Sequence, residues 1–148
     1  MRGLASLGLL LALALAVPAA HAQAPAAGDP GLQRLLDDYI GLYRRETLGE
    51  WRTLFLPSFV VAWTQPDGST ALRTLDEFWE RQRQAFASAR SVGEVLENVR
   101  AERHGRLASV WADFVFTSDE SSRRGRLVML CIEERGAFRI HSLLFSYD

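Results

Sequence analysis

Lysine is absent from this chain of 148 residues, and cysteine and histidine are scarce. All 17 basic residues are arginines, so the chain has no lysine that could form a Schiff base or bind nucleotide phosphates in a P-loop. The single cysteine, Cys131, excludes an internal disulfide and a cysteine-rich zinc or iron–sulfur site. With three histidines, one of them near the N-terminus, an all-histidine metal site is not expected. The sequence therefore demands neither a metal nor another cofactor.

An excess of positive charge is also lacking. The 17 arginines are balanced by 18 acidic residues, which gives a formal net charge of -1. Binding to nucleic acid or to an anionic membrane needs concentrated positive charge, so neither partner is expected. The length fits one domain and is too short for two ordinary ones.

The first 22 residues have the order of a secretory signal. A positive start at Met1–Arg2 precedes an apolar run of about 14 residues and the small-residue site Ala20-His21-Ala22. The run is shorter than the roughly 20 residues that span a bilayer, although an uncleaved N-terminal anchor is the alternative. We expect cleavage after Ala22 and export to the bacterial periplasm or medium without a stable membrane anchor. A flexible leader over 23–29 and one domain over 30–148 would remain.

The first predicted helix begins at the cap formed by Asp29 and Pro30. Apolar residues at helical spacing continue it to about Arg45, with Tyr39 and Tyr43 on the buried stripe. We expect these two rings to pack in the core with their hydroxyls at a solvated rim. Alternatively, a hydroxyl could donate a hydrogen bond to a ligand oxygen.

Two further helices are predicted from capping boxes. The box that starts at Thr47 opens a short helix through Phe55, which Pro57 ends. The box that starts at Thr74 opens a longer helix that ends near Arg90.

The remaining pattern is that of strands. A β-branched and aromatic strand covers Phe59–Thr64, and the period falls to two over 92–103, 106–117, 123–134 and 137–147. Short links join these last segments, so an antiparallel meander is expected. The order of helices followed by a long curved sheet predicts an α+β fold.

Three segments of the chain carry a resemblance to a known group. They are WRTLF at 51–55, ASVWADFVF at 108–116 and GAFRI at 136–140. Their order and spacing resemble the nuclear transport factor 2-like superfamily, which includes ketosteroid isomerases, SnoaL-type polyketide cyclases and dehydratases. The middle segment is similar to a pattern of secreted members described as lumazine-binding. The resemblance implies a cone-shaped α+β roll, also called cystatin-like, whose curved antiparallel sheet wraps about three helices around a pocket.

The catalytic residues of that superfamily do not carry over. Matching the opening helix to the ketosteroid isomerases places their pocket tyrosine on Tyr39. The same match places their two catalytic acids near Trp63 and near Val128 or Met129, so both acids are missing. The catalytic residues are therefore unknown at this point.

A mainly apolar pocket is the expected site. Phe114 lies on the apolar face of its strand, and the resemblance assigns His141 inward. The aromatic residues could instead fill the cone and leave no cavity. The residues that we expect to line the pocket are Tyr39, Trp63, Phe78, Phe114 and His141.

Two functions from different classes fit these residues. The first is a domain that binds a small apolar or aromatic ligand without catalysis. The alternative is an acid–base enzyme of the isomerase, dehydratase or polyketide-cyclase kind, in which Tyr39 acts with His141 or Asp113. An interaction module with a filled cone is a third interpretation, so whether the protein is an enzyme stays open.

Three other features of the strands suggest roles on the surface and in the core. Trp111 and Val115 alternate outward, which favours a homodimer built on the outer sheet face. The basic cluster over 123–126 is interpreted as a solvated hairpin end rather than an anion site. Cys131 lies in an apolar run and is interpreted as a small buried hydrophobe.

Overall fold

The structure is a computed structural model that describes residues 28–148. The predicted signal and most of the predicted leader lie outside the described residues. No helix in residues 28–148 is long and apolar enough to cross a membrane. The helices and strands are α1 (Pro30–Gly41), α2 (Leu48–Arg52), β1 (Phe55–Thr64), β2 (Thr70–Thr74), α3 (Leu75–Ser88), β3 (Val92–His104), β4 (Leu107–Ser118), β5 (Ser121–Glu134) and β6 (Ala137–Tyr147).

Helix α1 begins where the cap predicts and ends earlier than expected. The Asp29 carboxylate accepts hydrogen bonds from the backbone N–H groups of Gly31 and Leu32 at 2.9 and 3.0 Å. The helix stops at Gly41 instead of continuing to residue 45. The Thr47 hydroxyl donates to the Leu42 carbonyl at 2.9 Å, so a side chain occupies a group that a longer helix would use.

The prediction for the second helix is wrong at its end and in its capping box, because the Thr47 side chain caps no backbone N–H of α2. Helix α2 stops at Arg52, and Phe55 already begins β1. Pro57 lies inside this strand and does not end a helix. A proline is tolerated there because the pairing of β1 with β6 shifts register between Phe55 and Val60.

The six strands form one curved, unclosed sheet in the order β2-β1-β6-β5-β4-β3. The antiparallel meander from β3 to β6 is confirmed, as is the α+β class. Two features were not predicted: β1 pairs with β6 in parallel, and β2 adds an edge strand beside β1. Strand β2 has five residues and runs directly into the capping box of α3, which is confirmed at Thr74.

The helices cover one face of the sheet, which we call the inner face. At one end of this face the packing is dense: Trp51, Phe55 and Phe59 are almost completely buried. Successive ring centroids there lie 4.6 Å (Trp51–Phe55) and 4.7 Å (Phe55–Phe59) apart. The indole N–H of Trp51 donates to the Tyr39 carbonyl at 2.9 Å, which ties α2 to α1. We call this end the packed half.

Candidate functional site

A cavity of about 410 Å³ lies at the other end of the inner face, which we call the cavity half. Residues from α1, α3 and five strands surround it, and eight of the 18 residues that line it are aromatic. Small-molecule sites in proteins have this mainly apolar character with a few polar groups. The aromatic residues that line the cavity are Tyr39, Tyr43, Trp63, Phe78, Phe114, Phe116, Phe145 and Tyr147.

The structure brings four of the five expected pocket residues to this cavity. Tyr39 and Phe78 reach it from the helices, and Trp63 and Phe114 reach it from the sheet. Trp63 stacks on Phe145 with ring centroids 5.8 Å apart and an interplanar angle of 9°. The cone is therefore not filled, although ligand binding by these residues stays a prediction.

His141 does not line this cavity. Ile140 pairs with Cys131 while Ser142 pairs with Leu130, so His141 is the extra residue of a β-bulge in β6. A bulge interrupts the strand alternation that the inward assignment of His141, made through the resemblance, required. Beyond it, Leu143 is the first residue of β6 to reach the cavity.

Asp113, the other partner considered for acid–base chemistry, faces away from the cavity. Its carboxylate accepts a hydrogen bond from the Asn98 amide at 2.7 Å and lies 3.7 Å from Arg126. Both contacts are on the outer face of the sheet, as the alternation along β4 predicts. Neither His141 nor Asp113 can therefore act on a ligand beside Tyr39.

The acid that does line the cavity is Glu94 on β3, which the sequence analysis missed. The Tyr39 hydroxyl donates to the Glu94 carboxylate at 3.1 Å. Burial raises the pKa of Glu94 to about 7, and the hydrogen bond from Tyr39 offsets only part of that increase. A signal was present: Glu94 alternates with Val92 and Leu96, so it is an acid in an apolar phase of the strand.

Tyr39 and Tyr43, two of the three tyrosines that line the cavity, stay protonated at neutral pH. Burial, and then the nearby charge of Glu94, raise the pKa of Tyr39 well above its usual value. Burial likewise raises the pKa of Tyr43, whose hydroxyl donates to the Gln82 side chain. Both hydroxyls are hydrogen-bond donors and not bases, so Glu94 is the acid–base group of the cavity.

Two arginines lie at the mouth of the cavity. The guanidinium carbon of Arg81 on α3 is 5.4 Å from the Trp63 ring, and that of Arg123 on β5 is 3.5 Å from the Tyr147 ring. Burial raises the pKa of Tyr147, whereas the charges of both arginines act to lower it. The cavity thus has a cationic mouth and one titratable acid.

A glycine makes room for the cavity wall. A Cβ at Gly125 would lie 2.2 Å from the Ser146 carbonyl oxygen and 2.7 Å from the Phe114 ring. No side chain fits at this point of β5 without displacing the Phe114 ring. Gly125 therefore leaves room for that ring, which contacts Tyr147 at a centroid distance of 5.4 Å.

No group of three or more histidine, cysteine or acidic side chains that could hold a metal ion occurs in residues 28–148. Cys131 is buried, and burial raises the pKa of its thiol to about 12. The interpretation of Cys131 as a small buried hydrophobe is confirmed, because a thiol with this pKa is not ionised at neutral pH.

The outer face of the sheet carries an exposed apolar row. Strand pairing places its members side by side across five strands, and Leu72, Trp111 and Leu144 are 60%, 58% and 49% exposed. A recess of about 680 Å³ lies against this row, but it is an open part of the surface and includes the Asp113–Arg126 pair. The outer row consists of Leu72, Ala62, Leu144, Val128 and Trp111.

The fold agrees with comparisons against known families. Residues 32–147 match the model of the SnoaL-like domain, so the chain belongs to the SnoaL-like domain family. This confirms the resemblance to the nuclear transport factor 2-like superfamily. No curated protein matches the chain significantly.

Solved structures with the same fold come from several bacteria. An NTF2-like protein of unknown function from Shewanella baltica is 11% identical, with a TM-score of 0.62 over 80% of this chain and 91% of that chain. A candidate scytalone dehydratase from Novosphingobium aromaticivorans is 13% identical, with a TM-score of 0.63 over 80% and 82%. A candidate dehydratase of the NTF2-like family from Streptomyces avermitilis is 11% identical, with a TM-score of 0.62 over 80% and 94%. At these identities the likeness shows the fold alone.

Proposed function

We propose that the domain binds a small, mainly apolar or aromatic ligand in the cavity. The observation that carries this proposal is the cavity itself, in which eight aromatic residues surround space that the packed half of the same face does not have. Its volume of about 410 Å³ lies within the range of small-molecule sites, about 300–1,000 Å³. The finer similarity to secreted proteins described as lumazine-binding stays a prediction, and it would favour a planar heterocycle.

The polar groups supply specificity within this apolar space. With a pKa of about 7, the Glu94 carboxyl is about half protonated at neutral pH, so it can donate to or accept from a ligand. The Tyr43 hydroxyl and the Gln82 amide bond each other at the same wall. A ligand with one carbonyl or hydroxyl group directed inward would satisfy Glu94 without introducing a second buried charge.

A second candidate function is acid–base catalysis, and Glu94 is the observation that favours it. A carboxylate with a pKa near the working pH can remove a proton from a bound substrate and return it. Tyr39 would orient the carboxylate through its hydrogen bond. Two structural neighbours are named as candidate dehydratases, which is compatible with this chemistry. The enzyme alternative therefore survives with Glu94 in place of His141 or Asp113.

Ligand screening of the domain tests the proposal. Native mass spectrometry and thermal-shift assays against apolar and aromatic metabolites should find compounds that raise the melting temperature of the wild type. The control is Ala85→Trp, because Ala85 is a half-buried residue of α3 that lines the cavity and an indole there would fill it. Equal stabilisation of wild type and a folded Ala85→Trp variant would contradict binding in the cavity.

Substitution of Glu94 separates binding from catalysis. Glu94→Gln keeps an acceptor for the Tyr39 hydroxyl but cannot exchange a proton. If the protein only binds, the variant should retain ligand affinity within a few fold. If it is an enzyme, turnover of a substrate found by the screen should fall by about 100-fold or more while binding persists.

We also propose that the protein is exported and that its mature form starts at Gln23. The charged, apolar and small-residue order of the first 22 residues supports this proposal. Intact-mass measurement of protein from the periplasm or medium should show the loss of those residues. Retention of Met1 in the exported form would contradict it.

The outer row supports a homodimer as a further part of the proposal. An exposed apolar row that crosses five strands can be buried against the same row of a second copy, as twofold symmetry requires. Light scattering should then give twice the monomer mass, and Trp111→Arg should give the monomer mass. Thr117→Arg is the control, because Thr117 is exposed on the same strand and is not part of the row. A monomeric wild type at high micromolar concentration would contradict the dimer.

A further inference from the structure

We propose that the ligand of this cavity is a planar organic acid whose anionic group binds Arg81 and Arg123 at the mouth. This inference rests on the proposed binding function and adds the chemical class of the ligand. The apolar body would lie among the aromatic rings, and the carboxylate, or an equivalent sulfonate, would stay at the solvent end.

Strand alternation directs only one arginine of the basic cluster to the cavity. Arg123 shares its phase on β5 with Gly125 and Leu127, which face inward, and it lines the cavity. Arg124 and Arg126 have the opposite phase and pair with acids on the outer face, Glu97 and Asp113. The cluster is therefore not only a solvated hairpin end, since its first member belongs to the site.

Helix periodicity likewise directs one arginine of α3 to the cavity. Arg81 follows Phe78 by three residues and precedes Ala85 by four, so all three lie on one face of the helix and line the cavity. Arg83 lies off this face, where its guanidinium is bound by Glu80 at 2.9 Å. Two separate elements thus each direct one arginine to the same mouth.

Both mouth arginines are held in place without an acidic partner. Each lies over an aromatic ring of the cavity wall, Arg81 over Trp63 and Arg123 over Tyr147. Within residues 28–148 neither makes an ion pair, whereas Arg103 is held by two acids, Asp29 and Glu133. Their N–H groups remain available to an anion from solvent.

The charges at the two ends of the cavity have opposite sign, with Glu94 at the inner wall and the two arginines at the mouth. Glu94 is the sole acid among the residues that line it, and its carboxylate is occupied by the Tyr39 hydroxyl. Tyr147 lies within electrostatic reach of Glu94, Arg81 and Arg123, so all three charges act on the same space. An anionic group is attracted to the mouth and repelled from the inner acid, which selects a ligand with its charge at one end.

A matched pair of fluorescent probes tests the inference. 1-Anilinonaphthalene-8-sulfonate and N-phenyl-1-naphthylamine share one aromatic skeleton, and only the former carries an anion. We expect the wild type to bind the anionic probe about 10-fold more tightly, an advantage that falls as salt is raised. Ala85→Trp should abolish binding of both probes. Persistence of binding in that variant would place the probes elsewhere and overturn the inference.

Arginine substitutions assign the preference to the mouth. Arg81→Gln and Arg123→Gln should each lower the affinity for the anionic probe about 5-fold and leave the affinity for the neutral probe unchanged. The effect is no larger because both arginines are partly solvated. Arg83→Gln and Arg124→Gln are the matched controls, since each removes a neighbouring arginine on the same element that faces elsewhere. The controls should change affinity for either probe less than 2-fold.

The outcomes distinguish this inference from the proposed function. Equal affinities for the two probes in the wild type, or equal losses for both probes in the arginine variants, would overturn the organic-acid ligand and leave cavity binding intact. Failure of both probes to bind the folded wild type would overturn the proposed function and this inference with it. A preference for the anion that both arginine variants remove and both controls retain would establish the ligand class.

Discussion

The packed half and the cavity half of the inner face are built from the same residue types and do different work. In the packed half, Trp51, Phe55 and Phe59 are almost completely buried, and the centroids of successive rings lie less than 5 Å apart. In the cavity half, Phe145 and Tyr147 are half-buried with centroids 5.6 Å apart. Aromatic content alone does not distinguish a core from a binding site.

Helix α2 accounts for much of the difference. Its Trp51 fills the centre of the packed half, 5.0 Å from the ring of Tyr43 and 5.6 Å from that of Tyr39. The same two tyrosines direct their hydroxyls to the other half, where they meet Glu94 and Gln82. One pair of side chains therefore completes the core with its rings and furnishes the cavity with its polar ends.

The largest expected difference between the two halves is in the loss of stability when one ring is removed from each. Phe55→Ala should lower the free energy of unfolding by about 3–5 kcal/mol, because it opens a void in a fully buried cluster. Phe145→Ala removes a half-buried ring beside space that already exists, so about 1–2 kcal/mol is expected. Urea unfolding measures both. Equal losses would show that the two halves are packed alike.

The sequence predicts local features of the fold better than pairings between distant segments. The caps at Asp29 and Thr74 and the facing of β4 follow from local patterns, and the structure confirms them. The parallel pairing of β1 with β6 joins segments about 80 residues apart, and no local signal reports it. The end of α2 was missed because a proline that stops a helix is equally compatible with an irregular strand.

The acid in the cavity half should make that half sensitive to pH. The folded state raises the pKa of Glu94 from 4.5 to about 7, so it binds the proton more tightly than the unfolded chain does. The contribution of Glu94 to stability is therefore complete below pH 4.5 and is lost as the pH rises through 7. The pKa values of the three tyrosines that face Glu94 are raised, so these side chains stay protonated over this window. The charged and titratable groups that line the cavity with Glu94 are Tyr39, Tyr43, Arg81, Arg123 and Tyr147.

Glu94→Gln should remove this dependence. Relative to wild type, the variant should gain about 3 kcal/mol of unfolding free energy between pH 4 and pH 8. Glu97→Gln is the control, because Glu97 is on the same strand and pairs with Arg124 on the outer face. Urea unfolding at several pH values measures the difference. A constant difference between Glu94→Gln and wild type across this window would contradict a desolvated acid in the cavity.

Tyr39→Phe should have the smallest effect of the series. It removes the hydroxyl that donates to Glu94 and keeps the ring that packs on Trp51. If that hydroxyl also contacts the ligand, affinity should weaken by about 0.5–1.5 kcal/mol. Titration with a ligand from the screen measures it, and Tyr43→Phe is the matched comparison, because Tyr43 also lines the cavity and its hydroxyl bonds Gln82. A loss above 3 kcal/mol would show that the hydroxyl does more than donate one hydrogen bond.

The candidate site was predictable in part, because sequence periodicity reports facing only where an element is regular. Residues on regular elements, such as Tyr39 and Phe114, were placed by periodicity. His141 was not, because a bulge adds one residue to β6 and breaks the alternation. Glu94 was overlooked although it lies in an apolar phase of β3, and Arg123 was assigned with the rest of its cluster to a solvated hairpin end. Only the strand phase, read together with the cavity, shows that both side chains face inward.

The most direct test of the account is the protonation of Glu94 with and without a ligand. Carbon-13 NMR of the side-chain carboxyl, assigned by its loss in Glu94→Gln, reports the pKa in solution. We predict a value near 7 for the free protein, and a further increase when the neutral probe N-phenyl-1-naphthylamine fills the cavity and excludes water from the acid. A pKa near 4.5 that the probe leaves unchanged would contradict a ligand cavity with a desolvated acid at its wall.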